Sequence, residues 1–363
     1  MAVVYVLGAG ASKAILSRAP LMSELLPKAL KVLKSDTSKT KRTKRITDFI
    51  ESFYQLGPCQ LPLLEDILSQ LDLAIKEGRP LSNEYDLPYL RQLREDLVYA
   101  FSVLLRENLG IKPQTGNMSV EGQRCMILME KFLGTLDASS DCIISLNYDL
   151  IVDNAISKKN GRYVNYGFSV RHDDKEDDEK PGMLRQLGEL PLYKLHGSLN
   201  WLYCPVCQQL DVANNYEGVR YIFEECDNEE FNKCKDCTTK YEPLIITPTL
   251  LKTYDNTLLR LIWREAEDKI SKADEVVFVG YSMPDADMQL RCMFKRALYA
   301  NRNRSHREGS SSCCIRVIGN ERRSNDQDGN RGNGGNDTEK RYRQLFGEIN
   351  YEPIGFKAYI ERV

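Results

Sequence analysis

Eleven cysteines and three histidines are the chain's soft and imidazole ligands. Four cysteines form two C-x-x-C pairs, Cys204/Cys207 and Cys234/Cys237, with residues 208–233 between them. Two such pairs can present four thiolates tetrahedrally, as a structural zinc site requires. A four-cysteine site leaves no coordination position open, so its metal would brace structure and not catalyse. The competing reading is four reduced cysteines without metal, and Cys226, between the pairs, is a substitute ligand. Among the histidines, His172 and His306 lie in polar, loop-like segments. His196 ends the apolar run LYKLHG, and Gly197 behind it leaves room for a ligand. An imidazole near its ordinary pKa of about 6.5 suits general-base work at neutral pH. The commoner role of an isolated histidine is a satisfied structural one.

The other chemistry-bearing residues follow strand-like runs, and ligands of open α/β sheets bind at the carboxyl ends of strands. AVVYVL (2–7) leads into Gly8-Ala9-Gly10-Ala11-Ser12. Such a turn lets backbone approach a pyrophosphate, with helix N–H groups and the Ser12 hydroxyl as donors. The third glycine of the usual dinucleotide pattern falls on Lys13, so this is not the dehydrogenase fingerprint. The alternative is a tight βα turn with no ligand. CIISL (142–146) leads into Asn147-Tyr148-Asp149, where Asn147 offers a donor and an acceptor and Asp149 a charged acceptor. The alternative there is an Asx cap. EVVFVG (275–280) leads into Gly280-Tyr281-Ser282-Met283-Pro284-Asp285, and CIRVIG (314–319) into Asn320. Gly280, Ser282 and Asn320 could contact a ribose or phosphate, or be ordinary loop punctuation.

Strands alternating with helices imply an α/β fold with a Rossmann-like parallel sheet. Residues 36–135 read as helical with breaks: Leu64, Ile67, Leu68, Leu71 and Ile75 make one stripe, and Leu90, Leu93, Leu97, Phe101, Leu104 and Leu105 another. The stretch 200–242 carries the cysteine pairs and little periodicity. The expected organisation is a Rossmann-like domain from 1–35, 136–199 and 243–363, a helical insertion at 36–135, and a zinc module at 200–242. DDKEDDE (173–179) and Ser324–Thr338 read as disordered. The basic run Lys39, Lys41, Arg42, Lys44 and Arg45 reads as a solvated loop or partner surface. A net charge of −2 gives no global drive toward nucleic acid, so direct nucleic-acid binding is not expected. No apolar run approaches the roughly 18 residues of a membrane span. MAVVYVLGAG has no basic leader, so the expected compartment is the reducing cytoplasm, where paired cysteines point to metal.

In order, GAGAS, SLNYD, LHGS, the two C-x-x-C pairs and VGYS resemble the SIR2 (sirtuin-like) family over roughly residues 1–35 and 140–325. The resemblance implies a Rossmann-like domain with a small zinc module and a helical module, and NAD lying between them as substrate. It implies that Gly8, Ala9, Gly10 and Ser12 hold the pyrophosphate and that Asp149 binds the nicotinamide carboxamide. Asn147 would orient the attacking group, His196 would be the base, and Gly280, Ser282 and Asn320 would line the adenosine end. Cys204, Cys207, Cys234 and Cys237 would hold structural zinc.

Protein-deacylating sirtuins carry a Pro-Asp-Phe-Arg stretch after the glycine turn and a Phe-Gly-Glu element after the zinc module. Here those regions read Ser17-Arg18-Ala19-Pro20-Leu21-Met22 and Glu242-Pro243-Leu244-Ile245-Ile246-Thr247-Pro248-Thr249. Motifs for the NAD side remain and those for a peptide are missing. That pattern is similar to the SIR2-like proteins of bacterial anti-phage systems, which destroy NAD. It implies an NAD glycohydrolase releasing nicotinamide and ADP-ribose, working as a homo-oligomer with a HerA-type ATPase or another defence sensor. The rival readings are an NAD-dependent protein deacylase and a non-catalytic NAD or ADP-ribose sensor.

Overall fold

The computed structural model describes residues 1–34, 40–56, 60–108, 119–160, 163–168, 171–172, 187–213, 233–245, 256–285, 287–319 and 334–363. The strands are β1 (Val3–Leu7), β2 (Cys142–Ser145), β3 (Tyr163–Asn165), β4 (Arg171–His172), β5 (Leu187–Lys194), β6 (Gly197–Tyr203), β7 (Leu210–Val212), β8 (Glu242–Ile245), β9 (Glu275–Val279), β10 (Cys314–Ile318) and β11 (Asn350–Glu352). The helices are α1 (Ala9–Ile15), α2 (Leu25–Lys34), α3 (Thr40–Phe49), α4 (Leu64–Glu77), α5 (Leu87–Asn108), α6 (Val120–Gly134), α7 (Ile151–Asn160), α8 (Thr257–Lys272), α9 (Met288–Glu308), α10 (Gly334–Phe346) and α11 (Gly355–Arg362).

Seven parallel strands form one sheet in the order β11-β10-β9-β1-β2-β5-β3. From β1 the chain builds β2, β5 and β3 on one side, then returns to build β9, β10 and β11 on the other. Leaving out edge strand β3, this is the Rossmann order 3-2-1-4-5-6, in which ligands bind at the strands' carboxyl ends beside the reversal point at β1. The apolar character of these strands follows from their burial: every residue of β2 and β9 is buried, because helices cover both faces.

In the helical part, α5 packs against α2, α3 and α4, while α6 packs against α7, α11 and α1. Of the basic run, Lys41, Arg42, Lys44 and Arg45 lie on α3 and not in a loop, while Lys39 lies outside the described residues. Arg42 and Arg45 lie on α3 and both pair with the fully buried Asp96 of α5. Their charge offsets an interior carboxylate, and Arg42 also lies 4.4 Å from the centroid of the Tyr99 ring. The described parts of the stretch 200–242, read as having little periodicity, carry most of β6, all of β7 and the start of β8 in a second sheet ordered β4-β7-β6-β8. β6, GSLNWLY, shows no alternation because six of its seven residues are buried. His306 lies on α9, a 21-residue helix and not a loop, while His172 lies in β4. Residues 173–179 and 324–333 lie outside the described residues, and α10 begins at Gly334, inside the stretch expected to be disordered. No described helix is long and apolar enough to cross a membrane.

Candidate functional site

The carboxyl ends of β1, β2 and β9 are stitched together by backbone. Leu146 N donates to Leu7 O at 2.9 Å, Gly8 N to Val279 O at 2.9 Å, and Gly10 N to Gly280 O at 2.8 Å. A Cβ on Gly8 or Gly10 would meet the Gly280 oxygen at 2.7 or 2.8 Å, so glycine is required where these turns touch. Gly280 itself takes φ +61°, open to glycine at little cost. Three residues on, the buried Met283 also has a positive φ, 51°, in a loop pinned by Tyr281 Oη donating to Asp287 and Tyr342 Oη donating to Tyr281 O. Ser282 of that loop is exposed.

Asn147 reaches across from β2. Its Nδ2 donates to Gly8 O at 2.9 Å and to Ser12 Oγ at 3.0 Å. The Ser12 hydroxyl donates in turn to Asp149 Oδ2 at 2.7 Å, and Ile151 N donates to Asp149 Oδ1 at 3.1 Å. The second of these is the expected Asx cap, here on α7. Ser12 must therefore turn away from Asp149 before its hydrogen can serve a phosphate. Burial pushes the Asp149 carboxyl above the usual range, opposed first by the Lys194 ammonium and then by the Ser12 hydrogen bond.

His196 lies in the two-residue turn between β5 and β6, 6% exposed. Its Nδ1 lies 3.0 Å from Leu146 O. A carbonyl only accepts, so Nδ1 carries the proton and Nε2 is the basic nitrogen. The ring stacks on Tyr148 with centroids 5.9 Å apart, and Phe101 of α5 meets Tyr148 edge-on at 5.1 Å. Trp263 Nε1 donates to Leu195 O at 2.9 Å, fixing the turn from the α8 side. Gly197 does not leave room for a ligand as the sequence suggested. It has φ +81°, and a Cβ there would meet Leu244 O at 1.9 Å, so glycine serves the close approach of β6 to β8.

Just over half of the 363 residues match a known domain: the family model for the SIR2-like domain covers residues 141–327. The chain belongs to the SIR2 family. An NAD-related enzymatic function comes with that membership. No curated protein matches the chain. For a SIR2-like chain the placement is coherent. Gly8, Ala9, Gly10, Ser12, Asn147, Asp149, His196 and Gly280 gather at neighbouring strand ends of one sheet. Ser282 sits in the β9 loop beside them, while Asn320 and Cys226 lie outside the described residues.

The SIR2-like fold here carries its cysteines on two matching turns. Cys204 N donates to Gln209 O and Gln208 N to Cys204 O, while Cys234 N donates to Thr239 O and Thr238 N to Cys234 O. Gln208 and Thr238, each one past its pair, have φ of 58° and 59°. The four Sγ atoms lie within 4.8 Å of one another, with Cys204 and Cys237 3.4 Å apart and Cys207 and Cys234 4.0 Å. A tetrahedron with metal–sulfur bonds of about 2.3 Å has edges of about 3.8 Å, so the set fits zinc. Thr239 draws the Cys237 thiol down to about 6, whereas hydrogen bonding with the other sulfurs, Cys237 first, pushes Cys207 up to about 12.

Sequence reasoning missed Tyr148, Lys194, Asp153 and Trp263 as partners of the site. Lys194 was the detectable one, since a lysine inside a buried strand run needs an explanation.

Proposed function

We propose that this SIR2-like chain is an NAD glycohydrolase, releasing nicotinamide and ADP-ribose. The supporting observation is that His196 Nδ1 is tied to Leu146 O, one residue from Asn147, whose amide is tied to the first glycine turn. A candidate base and a candidate orienting amide thus stand together at the strand ends where folds of this order bind a dinucleotide. Breaking the N-glycosidic bond builds positive charge on the ribose, and nicotinamide leaves neutral with the bonding pair. A water placed by Asn147 would attack the anomeric carbon. His196 Nε2 would take the proton from that water or from a ribose hydroxyl, help worth about 10²–10⁴-fold. Asp149 retains lone pairs beyond those used by Ser12 and Ile151, enough to accept a carboxamide N–H. A hydrolase of this kind suits defence by NAD depletion, with an oligomer and a sensor partner supplying the off state.

The test is incubation of the purified chain with NAD, with product identification. Nicotinamide and ADP-ribose in equal amounts, lost in His196→Ala and Asn147→Ala, is the expected result. Turnover that needs an acylated peptide and yields O-acyl-ADP-ribose would replace the proposal with a deacylase. Thermal stabilisation by NAD without turnover under any condition would replace it with a sensor.

A further inference from the structure

At the sheet's carboxyl ends lies an ion pair sealed from solvent. Lys194 of β5 is 0% exposed at its side chain and Asp153 of α7 is 4%, with Nζ to Oδ2 at 3.0 Å. Tyr166 Oη donates to the other oxygen of Asp153 at 2.5 Å, and Asn200 Nδ2 donates to Tyr166 Oη at 3.3 Å. Such a pair does little for stability, because apolar residues of similar volume are often as good or better. Its second contact gives it a purpose: Lys194 Nζ also donates to the main-chain oxygen of Asp149 at 2.5 Å.

We propose that Lys194 is a positioning residue for the NAD site, holding the Asp149 main chain from below so that its carboxylate faces Ser12 and the first glycine turn. The proposal rests on the NAD reading above for its ligand, and on the contacts alone for its geometry. Asp153 holds Lys194 in turn and is itself held by Tyr166, both donating to its carboxylate, so the ammonium bridges Asp153 and the Asp149 main chain. Lys194 also supplies a cation that opposes the upward push of burial on the Asp149 carboxyl. The groups facing Asp149 are Ser12 from α1, the Ile151 amide and Asp153 from α7, Lys194 from β5, and Cys125 from α6. Of these charges only Lys194 favours the ionised form, and its influence outranks that of Asp153. Since Lys194 stands two residues before His196, the same anchor sets the start of the turn that carries the base.

The experiment uses the full chain in four forms: parent, Lys194→Met, Lys194→Met with Asp153→Asn, and Lys194→Arg. Removing one partner strands the other's buried charge, so the double variant, which removes both charges of the pair, keeps the test usable if the single one unfolds. Two readings are taken: NAD affinity by calorimetry, and titration of the Asp149 carboxyl by carbon NMR with labelled aspartate, its signal identified by Asp149→Asn. In the double variant NAD binding is expected to weaken by about tenfold, with kcat changing less than KM, since Asn147 and His196 remain. The Asp149 midpoint is expected to rise by about one pH unit in the double variant and to stay near the parent's in Lys194→Arg. An unchanged midpoint in the double variant overturns the proposal, as does loss of the fold in both Lys194→Met forms, which would make the pair structural. A parent that binds no NAD overturns the NAD reading instead, and the carboxyl titration then still decides the role of Lys194.

Discussion

Removing metal from the Cys204, Cys207, Cys234 and Cys237 set should melt the module and silence the site beside it. The module has its own small core of Leu202, Cys204, Ala213, Cys234 and Tyr241, separate from the main core. Apart from the ligands, Leu202, Ala213 and Tyr241 contribute about 5 kcal/mol of burial. Ordering the two cysteine turns, roughly a dozen residues, costs about 18 kcal/mol. The deficit of about 13 kcal/mol matches the roughly 10–16 kcal/mol that structural zinc supplies. Metal analysis should find one zinc per chain. After chelation, all four thiols should react with a disulfide reagent, and hydrogen exchange should lose protection in β6, β7 and β8 while β1, β2 and β9 keep theirs. NAD turnover should fall with the same dependence on chelator, because β6 starts immediately after His196 and Leu199 N holds Tyr148 O at 3.2 Å. A folded chain without metal whose four thiols stay protected would refute the reasoning. So would unchanged protection of β6 after zinc is gone.

Gly197→Ala forces a Cβ onto Leu244 O at a φ of +81°, so unfolding should come at least about 2 kcal/mol sooner, read by denaturant titration. Phe101→Ala empties a buried site in α5 and should destabilise by about 3–5 kcal/mol. It should also lower kcat by freeing Tyr148 from its edge contact; unchanged turnover in folded protein would cut the link from the helical part to His196. Glu24 is held down to about 2, first by the Leu21 amide and then by Lys28 and Lys13. Its stabilisation is therefore complete above the ordinary carboxylate value of 4.5 and is lost as pH falls toward about 2. Glu24→Gln should flatten stability against pH across that window and leave the slope above it unchanged, as acid titrations followed by circular dichroism would show.

The parallel sheet was legible because a strand buried on both faces must be apolar, and the runs in β1, β2 and β9 announce themselves that way, while β10 keeps an apolar run only around Arg316 and is buried only at its end. The helical stripes of α4 and α5 were legible for the analogous reason at period 3.6. The same burial concealed β6: GSLNWLY carries serine, asparagine and glycine into the interior, so neither alternation nor an apolar run marks it. α9 stayed hidden because its charged residues surround a narrow buried face of Leu290, Met293, Phe294 and Ala297. At the site, residue types showed what could do chemistry, but not that Gly8, Gly10 and Gly280 pack on one another, nor that Asn147 spans two strand ends. Those facts depend on strand order, which no local pattern encodes.

The polar crowding at the sheet's carboxyl edge has one physical origin. Where strands end, their last carbonyls lose ladder partners, and a buried carbonyl without a donor is costly. Here the donors are side chains: Asn147 to Gly8 O, His196 to Leu146 O, Lys194 to Asp149 O, Trp263 to Leu195 O and Tyr342 to Tyr281 O. Each bond satisfies an acceptor and, by doing so, fixes a functional or supporting side chain against a rigid backbone. His196 shows the consequence most directly: the carbonyl that needs a donor also selects the tautomer, so the nitrogen turned elsewhere is the basic one. Such a site is organised before any ligand arrives, which is the condition under which fixed dipoles lower a barrier most. The fold's requirement to satisfy its own strand ends and the chemistry's requirement for aimed groups are met by the same few hydrogen bonds.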